Sequence, residues 1–323
     1  MTFAFLADIG GTNTRVALAD GSMVRRDSAV SFKNASYSGL EPILTDYLAQ
    51  QGLRAVDGAC VAAAGPVQNG IAEMTNLNWT IDAAQLTHAT GASQTAMLND
   101  LQAQGHALGH IAPAHLRRVL DGPARPGAAM LVVGLGTGVN AAPVHNSPSG
   151  RVVPPSECGH VNMPVRNAED LRLIRFVEHR LAAQGEVPHC GVEEVLAGRG
   201  LANLHAFAAS EAGTTADLTS AEVLTALTVR DPIAVHAARL YIRILGQTLA
   251  DLALIHLPYD GIFLIGGMSR ALTPHFATYG LTQAFRELRR VDLLTTEFSV
   301  TVVEDDYAAL TGCAAYLATG GRG

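Results

Sequence analysis

Lysine is almost missing from this chain: of its 22 basic residues only Lys33 is a lysine. It sits in Ser31-Phe32-Lys33-Asn34, outside any glycine-rich loop. A Walker-type phosphate loop needs a lysine directly after its glycines, and a Schiff-base enzyme needs a buried one. Both are excluded, so a nucleotide site here must hold its phosphates some other way. Clustered positive charge is also missing, and the formal net charge is −7. That balance argues against nucleic acid and against anionic membrane surfaces, whose phosphates are met by basic patches. No apolar run approaches the roughly 20 residues of a membrane span. The opening residues, Thr2 to Asp8, lack the charged stretch and cleavage site of a secretory leader. The four cysteines (Cys60, Cys158, Cys190 and Cys313) have no paired spacing. Together these features lead us to expect a cytoplasmic protein in a reducing compartment.

What the chain does have is core material and glycine. Its 323 residues are 48% hydrophobic, enough for one large or two moderate domains. Phe3–Ala7 reads as a short apolar strand, Gly10-Gly11 as a turn, and Arg15–Ala19 as a second strand. A strand near Met23–Ser31, a helix near Leu40–Gln50, a strand at Ala59–Ala64 and a helix after Asp82 follow. Thr95–Leu98 is apolar again and runs into Asn99-Asp100. A second strand–turn–strand spans Ala129–Val144, and its Gly136-Thr137 falls where Gly11-Thr12 falls in the first. That is an internal repeat of roughly 125 residues, which hints at two halves on one plan. Later, Asn167 with Asp170 caps a helix, and Asp231-Pro232 opens a long one reaching about His256. Ile262–Ile265 is a buried strand before Gly266-Gly267, and the last helix lies near Asp306–Leu317. Strands mixed with helices throughout indicate an α/β class.

Three glycine turns follow three apolar strands: Asp8-Ile-Gly-Gly-Thr-Asn13, Gly134-Leu-Gly-Thr-Gly138 and Ile265-Gly-Gly-Met268. Glycines let backbone N–H groups approach phosphate oxygens, and the hydroxyls of Thr12 and Thr137 add donors. Asp8, at a strand end, suits a hydrated Mg2+, which takes one or two carboxylates alongside phosphate. Asp100 reads in two ways: as a helix N-cap, or as a base that accepts a proton from a substrate hydroxyl.

The motif Asp8-x-Gly10-Gly11-Thr12-Asn13-x-Arg15, then Gly134-x-Gly136-Thr137-Gly138, then Gly266-Gly267, resembles the phosphate and adenosine motifs of the actin-like ATPase superfamily. Gly65-Pro66, Met74-Thr75-Asn76 with Trp79, Leu98-Asn99-Asp100, Glu157-x-Gly159-His160 and Glu193-Glu-Val-Leu-x-Gly198 further resemble the bacterial glucokinase family, in that order. The resemblance spans nearly the whole chain. It implies a two-domain α/β fold of the actin-like (ribonuclease H-like) type with an interdomain cleft. The smaller domain would take residues 1–110 plus 303–323, and the larger 111–302. It also implies ATP-dependent phosphorylation of glucose at its 6-hydroxyl. Asp100 would be the catalytic base, and Asn99, Asp100, Glu157, His160 and Glu193 would contact the sugar. Asp8, Gly10, Gly11, Thr12, Asn13, Gly136, Thr137, Gly138, Gly266 and Gly267 would hold ATP, with Mg2+ on Asp8 through water. A homodimer is expected from the resemblance.

Two positions depart from that pattern. Asn140 stands where the second turn carries another glycine, and Cys158 replaces the first of two glycines before His160. In the region where related proteins carry a cysteine-rich zinc site, this chain has only His189-Cys190, and structural zinc is not expected. Other readings stay open: a kinase for mannose, fructose or an N-acetylhexosamine, or a sugar sensor without catalysis. A sensor of the repressor type would need a helix-turn-helix ahead of the first strand. A chaperone or filament ATPase would leave Asn99-Asp100, Glu157, His160 and Glu193 without a role.

Overall fold

The computed structural model describes residues 3–65, 67–68, 70–74, 77–148, 150–290 and 292–320. Pro66, Thr75 and Asn76, named above, lie outside these residues. The chain builds two compact units, one from residues 1–115, 144–155 and 305–323, the other from 116–143 and 156–304. The expected boundaries had left residues 144–155 in the larger domain.

The first unit begins with β1 (Ala4–Ile9), β2 (Asn13–Asp20) and β3 (Met23–Lys33), an antiparallel meander. Helix α1 (Leu40–Gln50) crosses to β4 (Gly58–Ala63), which lies parallel to β1. The short strands β5 (Val67–Gln68), β6 (Ile71–Glu73) and β7 (Thr80–Asp82) form a small separate sheet. Helix α2 (Ala83–Thr90) then leads to β8 (Gln94–Asn99), parallel to β4, and α3 (Asp100–Ala107) follows at once. The sheet order is β3-β2-β1-β4-β8. Alternation along the strands divides the core between the two faces. Phe5, Ala7 and Ile9 pack with Ile43, Leu44, Tyr47 and Leu86 of α1 and α2. Leu6 faces the opposite layer.

The second unit contains β9 (Leu116–Leu120), β10 (Met130–Leu135) and the start of β11 (Val139–Ser147). The far half of β11 pairs with β12 (Gly150–Val152) inside the first unit, where Val144 and Val153 lie against Gly105 of α3. That packing is why this hairpin joins the first unit. In the second unit follow α4 (Ala168–Ala183), α5 (Glu193–Leu196), α6 (Gly198–Glu211), α7 (Ser220–Thr228) and α8 (Pro232–His256). Next come β13 (Ile262–Ile265), α9 (Gly267–Leu272), α10 (Leu281–Phe285), α11 (Leu293–Thr296) and β14 (Val300–Val303). Strands β10, β13 and β14 are parallel, and β9 closes the edge antiparallel to β14. The order β12-β11-β10-β13-β14 repeats the order β3-β2-β1-β4-β8, so the sequence repeat is a repeat of topology. The apolar α8, capped by Asp231 on the Ile233 and Ala234 amides, is the centre of this unit's core.

The chain returns to the first unit with α12 (Ala308–Ala318). It packs on α3 and on the β1/β4 face through small residues: Ala103, Ala309, Gly312 and Ala314. A Cβ on Gly312 would lie 1.6 Å from the Ala103 carbonyl oxygen, so the two helices meet as closely as backbone allows. Cys60 and Cys313, far apart in sequence, become hydrogen-bonded buried thiols here. All four cysteines are free thiols. Among the described residues no helix is long and apolar enough to cross a membrane.

Candidate active site

The first glycine turn closes with the Gly10 amide donating to the Asn13 carbonyl at 3.0 Å. Gly11, Thr12 and Asn13 are exposed, so this face of the turn is open to a ligand. Asn34, just after β3, clasps the turn from behind. Its Nδ2 donates to the Gly10 carbonyl (2.8 Å), its backbone amide donates to the Thr12 carbonyl (2.9 Å), and its Oδ1 accepts from the Thr14 hydroxyl (2.8 Å).

Asp8, Asn99 and Asp100 share one edge of the same sheet. The register Ile9↔Ala63 and Ala63↔Asn99 aligns the carboxyl ends of β1, β4 and β8, the edge at which ligands of parallel sheets bind. The helix cap falls on Asn99. Its Oδ1 accepts from the amides of Leu101 (2.9 Å) and Gln102 (3.2 Å), the Gln102 side chain returns to the Asn99 amide, and its Nδ2 donates to the Gly65 carbonyl at 3.4 Å. Asp100 is therefore the first residue of α3. Among the described residues, the one hydrogen bond that its side chain takes from another residue runs from the Leu101 amide to Oδ1, at 2.8 Å. That leaves Oδ2 for a substrate hydroxyl.

Burial raises the Asp100 carboxyl above its ordinary range, and the Leu101 amide only partly opposes that. Asp8 is pushed up to about 6, first by burial and then by the charge of Asp100, with Arg15 opposing both. A buried carboxylate whose proton affinity is raised further by a neighbouring carboxylate forms a site whose repulsion a divalent cation would relieve. The Asp8 corner thus fits Mg2+.

In the second unit, Gly136 donates to the Gly138 carbonyl (2.9 Å), and Gly198 donates to the Gly136 carbonyl (2.8 Å). Thr137 is exposed, and a Cβ on Gly136 would meet nothing within 4 Å. The third turn lies beside it, because β13 pairs with β10 as far as Gly134↔Ile265. Gly266 has φ +108°, and a Cβ there would stand 2.2 Å from the Leu135 carbonyl, so only glycine fits. The backbone of Gly267 opens α9 on free space. The exposed Thr137 and the open space over Gly136 and Gly267 fit a phosphate chain and its nucleoside.

Glu157 and His160 bracket a short helical turn with their side chains 77% and 68% exposed, and Oε2 lies 3.9 Å from Nε2. Both are therefore open to a ligand. Glu193, by contrast, is engaged within the fold: Oε2 accepts from the Val139 amide (2.8 Å) and Oε1 from Arg199 (2.5 Å). A Cβ on Gly138 would come 2.8 Å from that Oε2, and one on Gly159 would come 2.1 Å from the Val139 carbonyl. The phosphate turn and the 157–160 segment thus converge on Glu193.

The two departures from the family pattern are explained here. Asn140 Oδ1 accepts from the Cys158 amide (3.1 Å) and the Ser156 hydroxyl (3.0 Å), and Nδ2 reaches the Ser156 carbonyl. Asn140 therefore ties the second turn to the loop carrying Glu157. Burial pushes the Cys158 thiol up to about 11, so it stays a neutral thiol. Among the described residues no three His, Cys, Asp or Glu side chains form a metal-binding group. Sequence reasoning missed Asn34 and Arg199 as parts of the site, and it noted Asn140 only as a departure at the second turn.

Comparison with known proteins points to one family. The family model described as glucokinase matches residues 5–320. A glucokinase of Chelativorans sp. (strain BNC1) is 30% identical over 319 residues, covering 98% of this chain and 92% of the relative. The crystal structure of a glucokinase from an Antarctic psychrotroph superposes with a TM-score of 0.84 at 26% identity, covering 98% of this chain and 99% of that one. A ROK-family glucokinase from Streptomyces griseus, solved with glucose and AMPPNP, has a TM-score of 0.59 at 17% identity with 98% of each chain covered. The fold is that of the two-domain actin-like sugar kinases.

Proposed function

Since the chain belongs to the glucokinase family, we infer that it is an enzyme that transfers the terminal phosphoryl group of ATP to the 6-hydroxyl of glucose. The observation that carries the assignment to particular residues is the corner of the first unit. There Asp100 opens α3 with one carboxylate oxygen uncommitted, beside Asp8 and the exposed turn Gly10–Asn13.

A sugar hydroxyl is a weak nucleophile until a positioned base takes its proton. In this reading O6 of glucose attacks the γ-phosphorus, the bond to the β,γ-bridging oxygen breaks, ADP leaves, and the O6 proton passes to Asp100. Burial assists, because a carboxylate of raised proton affinity is the better acceptor. Asp8 would hold a hydrated Mg2+ through water, and that cation would supply charge neutralisation to the phosphates. The amides of Gly11–Asn13 and of Thr137 and Gly138 hold phosphate oxygens, Gly10 and Gly136 close the two turns with their own amides, and Gly266-Gly267 makes room for the nucleoside. Asn99, whose amide is oriented by its cap bonds, and Glu157, His160 and Glu193 meet the remaining sugar hydroxyls. Carboxylates, an imidazole and an amide can together satisfy the hexose's donors and acceptors. A sugar that leaves them unpaired is rejected.

We assign the active form to a homodimer, which membership of the family implies, and its compartment to the cytoplasm, in keeping with the four cysteines of unpaired spacing. The test is formation of sugar 6-phosphate with Mg-ATP across glucose, mannose, fructose and N-acetylhexosamines. Preference for glucose supports the reading. Preference for another hexose would keep the mechanism and change the substrate, and no turnover with any sugar would refute it.

A further inference from the structure

We infer that Arg199 is a positioning residue for this reaction, fastening the sugar-side carboxylate of Glu193 to the second phosphate turn. The inference rests on the site assignment above and extends it to a residue that touches neither substrate. Glu193 is 16% exposed, and its Oε2 already holds the Val139 amide at the end of the turn. The other oxygen, Oε1, lies 2.5 Å from Arg199 Nη2. The same guanidinium binds Glu194 through Nε (3.1 Å) and Nη2 (2.7 Å), and its Nη1 donates to the Thr137 carbonyl at 3.3 Å. One planar fork therefore joins two adjacent carboxylates to the backbone of the turn whose amides face phosphate.

Two physical points make this more than a surface ion pair. Glu193 and Glu194 are the first two residues of one short helix, and without a cation between them their charges repel. The guanidinium is also rigid and presents several donors in fixed directions, whereas an ammonium is a single point of charge. The mutual bonding of Arg199 with Glu194 and then Glu193 raises its proton affinity above the ordinary arginine range, so the cation is permanent. Its removal frees Glu193 to turn toward water, takes the acceptor from the Val139 amide, and loosens the turn at Thr137. A residue that couples the sugar-side carboxylate to the phosphate turn must affect both substrates together.

The test compares Arg199→Ala and Arg199→Lys with Arg172→Ala, which breaks an exposed pair with Glu211 elsewhere in the same unit. KM for glucose, KM for Mg-ATP, kcat and Tm are measured on each full-length variant. The expected result is a rise of about tenfold in both KM values for Arg199→Ala, the scale of a lost charge-assisted hydrogen bond. Arg199→Lys should recover part of the loss for glucose and little of it for ATP, and Arg172→Ala should behave as wild type. Unchanged KM values with only a lower Tm or a smaller active fraction would reduce Arg199 to a structural role and overturn the inference. If Arg199→Ala does not fold, the Arg199→Lys kinetics decide on the same terms. If the wild-type protein phosphorylates no hexose, the functional reading fails on its own. The inference then stands or falls on whether AMPPNP binds more weakly to Arg199→Lys than to wild type in a calorimetric titration.

Discussion

Replacing Asp8 by asparagine should make the protein more stable while abolishing its activity. In the folded chain the Asp8 carboxyl is raised from 3.8 to about 6 by burial and by the neighbouring charge of Asp100. A rise of about two pH units corresponds to about 3 kcal/mol of penalty on the charged form. The residue as a whole is only half-buried, so the penalty actually relieved should lie between about 1.5 and 3 kcal/mol. The sign follows from proton binding. The folded state holds this proton more tightly than the unfolded chain, so the group favours folding in acid. That contribution is lost as pH rises from about 4 through about 6. The asparagine amide does not titrate, so the variant's advantage should be small at pH 4, about half developed at pH 5 and complete above pH 7. Thermal melts in EDTA should show Asp8→Asn about 5 °C above wild type at pH 7.5. Mg-ATP should raise the wild-type Tm and leave the variant's unmoved. Equal Tm values at pH 7.5, or an advantage that does not grow from pH 5 to pH 7.5, would refute the account of a carboxylate kept charged against its surroundings.

Other outcomes follow from the same geometry. Glu157→Gln should raise KM for glucose about tenfold and leave KM for ATP alone, since its exposed carboxylate is open to the sugar; a change confined to ATP would move Glu157 out of the sugar site. Gly266→Ala, with φ +108° and a Cβ 2.2 Å from the Leu135 carbonyl, should weaken AMPPNP binding and lower stability by about 3 kcal/mol. Wild-type melting and nucleotide titration curves would contradict that close contact. Gly312→Ala must push α12 away from the Ala103 carbonyl of α3. It should destabilise the first unit by about 3 kcal/mol, read by urea denaturation, and lower kcat because α3 carries Asp100.

Much of this was legible in the sequence, and the reason differs between fold and site. The paired hairpins were visible because glycine turns and alternating apolar strands are local signals, and Gly11-Thr12 and Gly136-Thr137 mark corresponding points of two like sheets. Asn99-Asp100 stood out as a polar pair after an apolar strand, but which of the two caps α3 depended on side-chain geometry that a dipeptide does not carry. Residues 144–155 were assigned to the wrong domain because their place is set by Val144 and Val153 meeting Gly105, a contact between segments distant in sequence. Cys60 and Cys313 looked unrelated for the same reason. Arg199 escaped notice because a lone arginine in the first turn of a helix usually marks a solvated face. Its meaning comes from Thr137, Glu193 and Glu194 converging on it.

The central claim is that Asp100 takes the proton from glucose, and one comparison tests it most directly: kcat for wild type and Asp100→Asn, with glucose binding measured on the same samples by calorimetry. The account predicts an intact fold, glucose affinity within a few-fold of wild type, and kcat lower by about 10²- to 10⁴-fold. A variant that binds glucose and turns over at the wild-type rate would contradict it.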